Sequence, residues 1–263
     1  VQIRGYKVRL PLDLFVVASA NPEDYTNRGR IITPLKDRFG AEIRTHYPLR
    51  LADEISLVRQ EADLQAQVPH HLLEVVSRFT RLGRESTAVD QRSGVSARFS
   101  VAAAESLAAS ALRRAAITGE ALGVARVGDL PAVVPTLRGK VEFEVSEEGR
   151  EEEVLQHLLK RAVAETFRAR LGGVDLAALI TRFDEGPSIE GGDLVTSEEI
   201  LRRVGPVEGL GRIVAALEGE DSGGESPGIV AACLETVLEG LYLTRRISKD
   251  EVPGGGRAVY GGA

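Results

Sequence analysis

The spacing of apolar positions changes its period along the chain. Residues 2–10, QIRGYKVRL, alternate, with Ile3, Tyr6, Val8 and Leu10 on the apolar phase. That period predicts an exposed strand or hairpin arm. Leu12 to Ala20, LDLFVVASA, is nearly continuous in apolar residues and predicts a strand buried on both faces, as in a parallel sheet. Asn21-Pro22-Glu23-Asp24 ends it with turn chemistry. Thr33-Pro34 predicts a short helix on PLKDRF, with Thr33 as N-cap and Gly40 as a left-handed end. Ala41 to Tyr47 alternates again and predicts a last strand.

From Ala52 the period becomes helical. Ile55, Leu57, Val58, Ala62 and Leu64 mark one helix. A second opens at Pro69 with Leu72, Leu73, Val75, Val76 and Phe79 inward, before a loop over 83–94. A long Ala-rich helix follows over 97–117, and another starts at Asp129-Leu130-Pro131 and ends near Gly139. KVEFEV, 140–145, reads as a short strand or extended piece. The acidic run 147–153 feeds a helix over 151–171, where acidic side chains face the positive end of the helix dipole. A short helix over 176–183 comes next. Thr196 and Glu199, three apart, form a capping-box start. A Gly-rich loop spans 219–228, a last helix spans 229–247, and residues 250–263 read as a frayed Gly-rich tail. The fold class is mainly α with a small α/β part at its front.

Composition adds limits. The chain has 263 residues, 43% hydrophobic and 27% charged, with a net charge of −6. That balance suits an ordinary globular protein and disfavours non-specific nucleic-acid binding as its main role. Residues 1–50 carry 9 Lys+Arg against 5 Asp+Glu, while residues 138–225 carry 11 against 20. The acidic run is read as a solvated helix start or a docking surface for a partner. One cysteine, Cys233, excludes an internal disulfide and a cysteine-cluster metal site. His70 and His71 are adjacent and point to different helix faces, so no shared metal is expected. No apolar run near the start spans a membrane and no signal peptide opens the chain; the expected location is cytoplasmic. The chain has no methionine, which fits a sequence that starts partway into a longer protein.

The candidate chemistry lies in LFVVASANPEDYTNRGRIITPLKDRFG, residues 14–40. An Asn at the carboxyl end of a buried strand is held rigidly, with its amide free to orient a water or a phosphate oxygen. Arg38 follows 17 residues later, with Asp37 beside it, on a short helix. There it could reach across a subunit boundary and neutralise charge on a transferred phosphoryl group. Arg28 and Arg30 in the loop are read as solvated or as intersubunit or nucleotide contacts.

These motifs resemble the second half of an AAA+ ATPase core, in the magnesium chelatase I-subunit and MoxR-like branch. Asn21 matches the sensor-1 Asn of its S-x-NP-E motif and Arg38 the finger of L-x-DRFG. Residues 1–10 resemble the hairpin inserted before sensor 1. RSGVSARFSVAAAESLAASAL resembles the start of the lid helix that carries sensor 2, with Arg98 as its arginine, 60 residues beyond Arg38. The resemblance covers residues 1–117 and is loose beyond. It implies the C-terminal part of a P-loop α/β core over 1–48, a helical lid over 49–138, a helical extension over 139–249 and a flexible tail over 250–263.

It also implies catalytic roles for Asn21 and Arg38, a nucleotide contact for Arg98, and no metal ligand in this chain. ATP and Mg²⁺ are the implied cofactors, a ring of identical subunits the implied assembly, and a subunit with a von Willebrand A-like domain the implied partner. No membrane and no specific nucleic acid are implied. The chain lacks a G-x-x-x-x-G-K-[ST] loop and an apolar strand ending in Asp-Glu; in the family both lie upstream of the hairpin. On its own, the chain is therefore expected not to hydrolyse ATP. The alternatives are a MoxR-like chaperone, an enhancer-binding transcription activator and a non-catalytic helical scaffold. The activator is disfavoured because the chain ends in a single helix and a Gly-rich tail.

Overall fold

The computed structural model describes residues 2–3, 5–7, 15–19, 38–185, 188–192, 194–219, 226–251 and 257–262. The chain divides into two compact units, Val1–His46 and Tyr47–Ala263.

In the first unit, β1 (Gln2–Ile3) and β2 (Tyr6–Lys7) pair antiparallel, with Gln2 opposite Lys7 and Ile3 opposite Tyr6. Gly5 lies between them at φ 89°, a left-handed conformation that a side chain would strain. The hairpin arm is therefore present. The buried strand expected next is not found among the described residues. Its described part, Phe15 to Ser19, has no regular secondary structure and is exposed, Phe15 at 95%. An apolar run becomes a buried strand only where other elements pair its edges and cover its faces. Among the described residues of this unit, only the hairpin is paired. Ala41 to Tyr47, expected as a last strand, is also irregular and exposed. The helix expected on PLKDRF lies mostly outside the described residues. Its end, Arg38-Phe39-Gly40, is an exposed turn, and Gly40 is not left-handed.

The second unit is mainly helical. It contains α1 (Leu51–Glu61), α2 (His70–Glu85), α3 (Ala97–Thr118), α4 (Val133–Leu137), α5 (Glu151–Leu171), α6 (Ala177–Glu185), α7 (Ser197–Val204), α8 (Leu210–Glu218) and α9 (Pro227–Leu243). A 3₁₀ helix, Val127–Ala132, leads into α4. The helix that the sequence places over 129–139 is thus a 3₁₀–α–3₁₀ succession. Side chains and a glycine cap these helices, Thr196 at the start expected for it. Ser96 Oγ accepts from the Arg98 N–H at 3.1 Å, Gly119 closes α3 at φ 77°, and Thr196 Oγ1 accepts from the Glu199 N–H at 3.1 Å. Leu72, Leu73, Val75, Val76 and Phe79 are all buried along α2.

Two apolar cores share this unit. One gathers α1 to α4 and the first half of α5, with Leu155, Leu158, Leu159, Ala162 and Val163. The other gathers Phe167 and Leu171 of α5, α6 to α9, Ile247 and Tyr260. Helix α5 runs through both. α8 was not read from the sequence. Neither was a three-stranded antiparallel sheet of β3 (Ile189–Gly192), β5 (Arg257–Gly262) and β4 (Ile247–Glu251), in that order. The Gly-rich end expected to fray is its middle strand. Tyr260 faces Ile189 on one side and Lys249 on the other, and its ring is buried in the second core. Among the described residues, no helix is long and apolar enough to cross a membrane.

Gly240 in α9 marks the tightest approach in this packing, because a Cβ there would overlap the Phe167 ring. Alanine would gain about 1 kcal/mol of helix propensity, but overpacking a filled core costs about 1–3 kcal/mol and moves the ring as well. Gly240→Ala should therefore lower stability on balance, by about 1–2 kcal/mol. Urea unfolding with an unchanged m-value is the check, and a gain in stability would contradict the packing.

Candidate functional site

The three arginine and asparagine positions singled out by sequence fall differently. Asn21 lies outside the described residues. Arg38 is exposed in the Arg38–Gly40 turn of the first unit. Arg98 is exposed in the first turn of α3, in the second unit. Its backbone N–H is capped by Ser96, and its guanidinium makes no hydrogen bond or ion pair among the described residues. A cation there faces the positive end of the α3 dipole, a repulsion of roughly 0.3–1 kcal/mol. An anion near Arg98 would relieve that repulsion and meet the guanidinium.

Sequence reasoning did not find the buried polar groups that join the helices. His71 is fully buried. Its Nδ1 lies 2.5 Å from Glu218 Oε1 and its Nε2 lies 2.9 Å from Thr236 Oγ1. Glu218, the last residue of α8, also accepts the His70 and His71 backbone N–H groups at 2.9 and 3.2 Å. Its carboxylate thereby caps the start of α2. Burial pushes this carboxyl up, but the His71 hydrogen bond and charge and the two N–H groups outweigh that. It sits below the ordinary carboxylate range.

His70 points elsewhere, between the guanidiniums of Arg59 and Arg170, each at 2.8 Å. Burial, then the charges of Arg170 and Arg59, lower its pKa. The two histidines thus diverge, as their adjacency requires. His71, Glu218 and Cys233 do hold donor atoms within 4.8 Å of one another. However, His71 and Glu218 are committed to each other and to Thr236 and the backbone. The Cys233 thiol is pushed up by burial and then by the Glu218 charge, which leaves a protonated thiol, poor both as nucleophile and as metal ligand.

A second buried set shapes a cavity of about 410 Å³ between α3, α5, α9, the 3₁₀ helix and the sheet. Arg114 of α3 is buried and reaches Asp129 Oδ2 at 3.1 Å, Glu120 Oε2 at 2.8 Å and the Val124 carbonyl at 2.6 Å. Asp129 in turn accepts the Arg126 N–H at 2.9 Å and the Ser110 hydroxyl at 3.2 Å. These bonds fix the 3₁₀ helix that forms one wall. Another wall carries Glu235 and Glu239, one turn apart on α9. Glu239 Oε2 accepts from Lys249 Nζ at 2.9 Å and Tyr260 Oη at 2.7 Å. Two carboxylates four residues apart in IVAACLETVLEG, a segment apolar but for them and Thr236, were the sequence signal for this wall. Comparison with protein-family models, with curated proteins and with solved structures finds no match for the chain.

Glu218 gives this region a pH dependence. Because its folded-state pKa is depressed, its contribution is complete above the unfolded carboxyl value of about 4.3 and fades as pH falls through the lower folded value. Glu218→Gln should flatten the loss of stability on acidification below about pH 4.5 relative to wild type. Glu218→Ala, which strands His71 and two N–H groups, should cost about 3–5 kcal/mol at pH 7. Urea titrations across pH test both; parallel stability curves for wild type and Glu218→Gln would rule out the assignment.

Proposed function

We propose that the chain carries the sensor, arginine-finger and lid elements of an AAA+ ATPase similar to the magnesium chelatase I subunit. In such a ring, ATP hydrolysis is coupled to remodelling a partner for metal insertion. The observation that carries the reading is Arg98. It is an exposed guanidinium, unpaired among the described residues, in the first turn of a long, well-capped helix, at the position matching the sensor-2 arginine. It is supported by the spacing of ASANPEDY, LKDRFG and SARFS along the chain. The helices beginning at Leu51, after ASANPEDY and LKDRFG, add to it by packing around one core as a lid would.

In this reading each residue acts on charge. Arg98 would donate to phosphate oxygens, and its exposure and its repulsion by the α3 dipole both suit an anionic group there. Asn21 would orient the attacking water. Arg38 would project from its exposed turn toward a neighbouring subunit and meet charge that develops as the terminal phosphoryl group transfers. A finger arginine of that kind supplies roughly 10³–10⁵ in rate. ATP and Mg²⁺ would supply the phosphoryl group and the neutralising cation, and no residue of this chain is assigned to Mg²⁺. The implied partner is a subunit bearing a von Willebrand A-like domain.

Three outcomes test the proposal. The 263-residue chain alone should show no ATP turnover, since none of its loops supplies the phosphate-cradling amides and Lys; steady turnover abolished by Asn21→Ala would contradict this. Arg98→Ala should leave the chain as stable as before or a few tenths of a kcal/mol more so, yet impair turnover in the ring that includes the phosphate loop. In that ring, Arg38→Ala should abolish hydrolysis with nucleotide binding kept. Mixing it with subunits that lack the phosphate-loop Lys should restore complete sites. No recovery in demonstrably mixed rings would falsify the trans role of Arg38.

A further inference from the structure

We propose that the cavity beside α9 binds a small zwitterion of the amino-acid class, with its ammonium on Glu235. This site is separate from the residues assigned to the nucleotide. The argument begins with one atom. Glu235 is 3% exposed and lines the cavity, yet among the described residues its Oε1 has no hydrogen-bond partner. Its Oε2 accepts the Gly128 N–H at 3.3 Å. Arg126 Nη1 stands 3.6 Å from Oε1, close enough to balance charge but not to donate a hydrogen bond, and Arg126 Nη1 and Nε also have no hydrogen-bond partner among the described residues. Arg126 Nη2 is committed to the Gly192 and Val195 carbonyls at 3.3 and 2.7 Å. A buried acceptor without a donor costs about 1–3 kcal/mol. A donor brought in by a ligand removes that cost.

The backbone keeps the approach to this oxygen open. A Cβ on Gly191 would stand 3.2 Å from Glu235 Oε1, and one on Gly128 would stand 3.6 Å from Oε2. Gly191 and Gly192 are consecutive in β3, where glycine weakens a strand and marks a close approach. The rest of the lining selects the ligand. Glu239 is already matched by Lys249 and Tyr260, so Glu235 Oε1 is the acceptor left over. Lys160 of α5, also on the lining, has no ion pair among the described residues, and it suits a carboxylate. Val127, Leu130, Val134, Leu159 and Val163 give apolar wall for a side chain. An ammonium is favoured over a hydroxyl at Glu235, because a hydrogen bond between two charged groups is roughly twice as strong as a neutral one. The volume, about 410 Å³, holds an amino acid with a large apolar side chain.

Calorimetry and thermal shift on the 263-residue chain test this, with L-leucine and L-phenylalanine as probes. Saturable binding is expected. It should weaken at least about tenfold, or about 1.4 kcal/mol, for the deaminated acids 4-methylpentanoate and 3-phenylpropanoate. Glu235→Gln should weaken L-leucine by a similar factor, and Gly191→Ala should block it. Lys160→Ala should weaken L-leucine but not leucinamide, which lacks the carboxylate. Circular dichroism and melting temperature show whether each variant folds, and the ligand analogues on the unaltered chain keep the test valid if one does not. Three results overturn the proposal: no saturable binding of either amino acid up to about 10 mM, equal binding of the deaminated or 2-hydroxy acids, or wild-type affinity in folded Glu235→Gln.

Discussion

The second unit depends on a carboxylate placed where two apolar cores meet. Glu218 ends α8 in one core, and its oxygens cap the start of α2 in the other while holding the His71 ring. Thr236 of α9 closes the far side of that ring. Three helices distant in sequence are thereby registered by hydrogen bonds, which are directional, rather than by apolar contact, which is not. Arg114 with Asp129 and Arg126 with Glu235 follow the same rule of pairing charge wherever it is buried.

These links explain why α9 is so constrained. It is buried from Ala231 to Leu241 and touches β4, the 3₁₀ helix and several other helices. Gly240 lets the Phe167 ring lie against it and Gly228 lets Val124 do so. Where α9 carries polar residues, each has a reason. Thr236 serves His71, Glu239 holds Lys249 and Tyr260, and Glu235 faces the cavity. A helix that is apolar on all sides reads as plain core; its exceptions are where its roles lie.

Local signals made the long helices legible. Caps at Ser96 and Thr196, Pro69 ahead of α2 and Gly119 after α3 all act through neighbouring residues, so the sequence records them. Strands were less legible because they depend on partners far along the chain. FVVAS has the composition of a buried strand, but no pairing partner stands beside it among the described residues. RAVYGG has poor strand composition and is a central strand, because Ile189–Gly192 and Ile247–Glu251 flank it. The same contrast holds for chemistry. The place of Arg98 in the first turn of α3 could be read from its neighbours, whereas the Glu218–His71 pair, 147 residues apart, leaves no local pattern.

Among the described residues, the Arg98 guanidinium and the Glu235 Oε1 atom both lack a hydrogen bond, and they mean different things. Water satisfies an exposed guanidinium, so the unpaired state of Arg98 costs little beyond its repulsion by the helix dipole. The significance proposed for it comes from its place sixty residues beyond Arg38 in a spaced set of motifs. Water reaches Glu235 far less, and burial makes its bare oxygen expensive whatever the motif around it. A fold that leaves such an oxygen open, and sets glycines where side chains would crowd it, has given up stability at one place. Because α9 also carries Thr236 in the hub that registers the two cores, an occupant at Glu235 would sit on the same helix that holds those cores together.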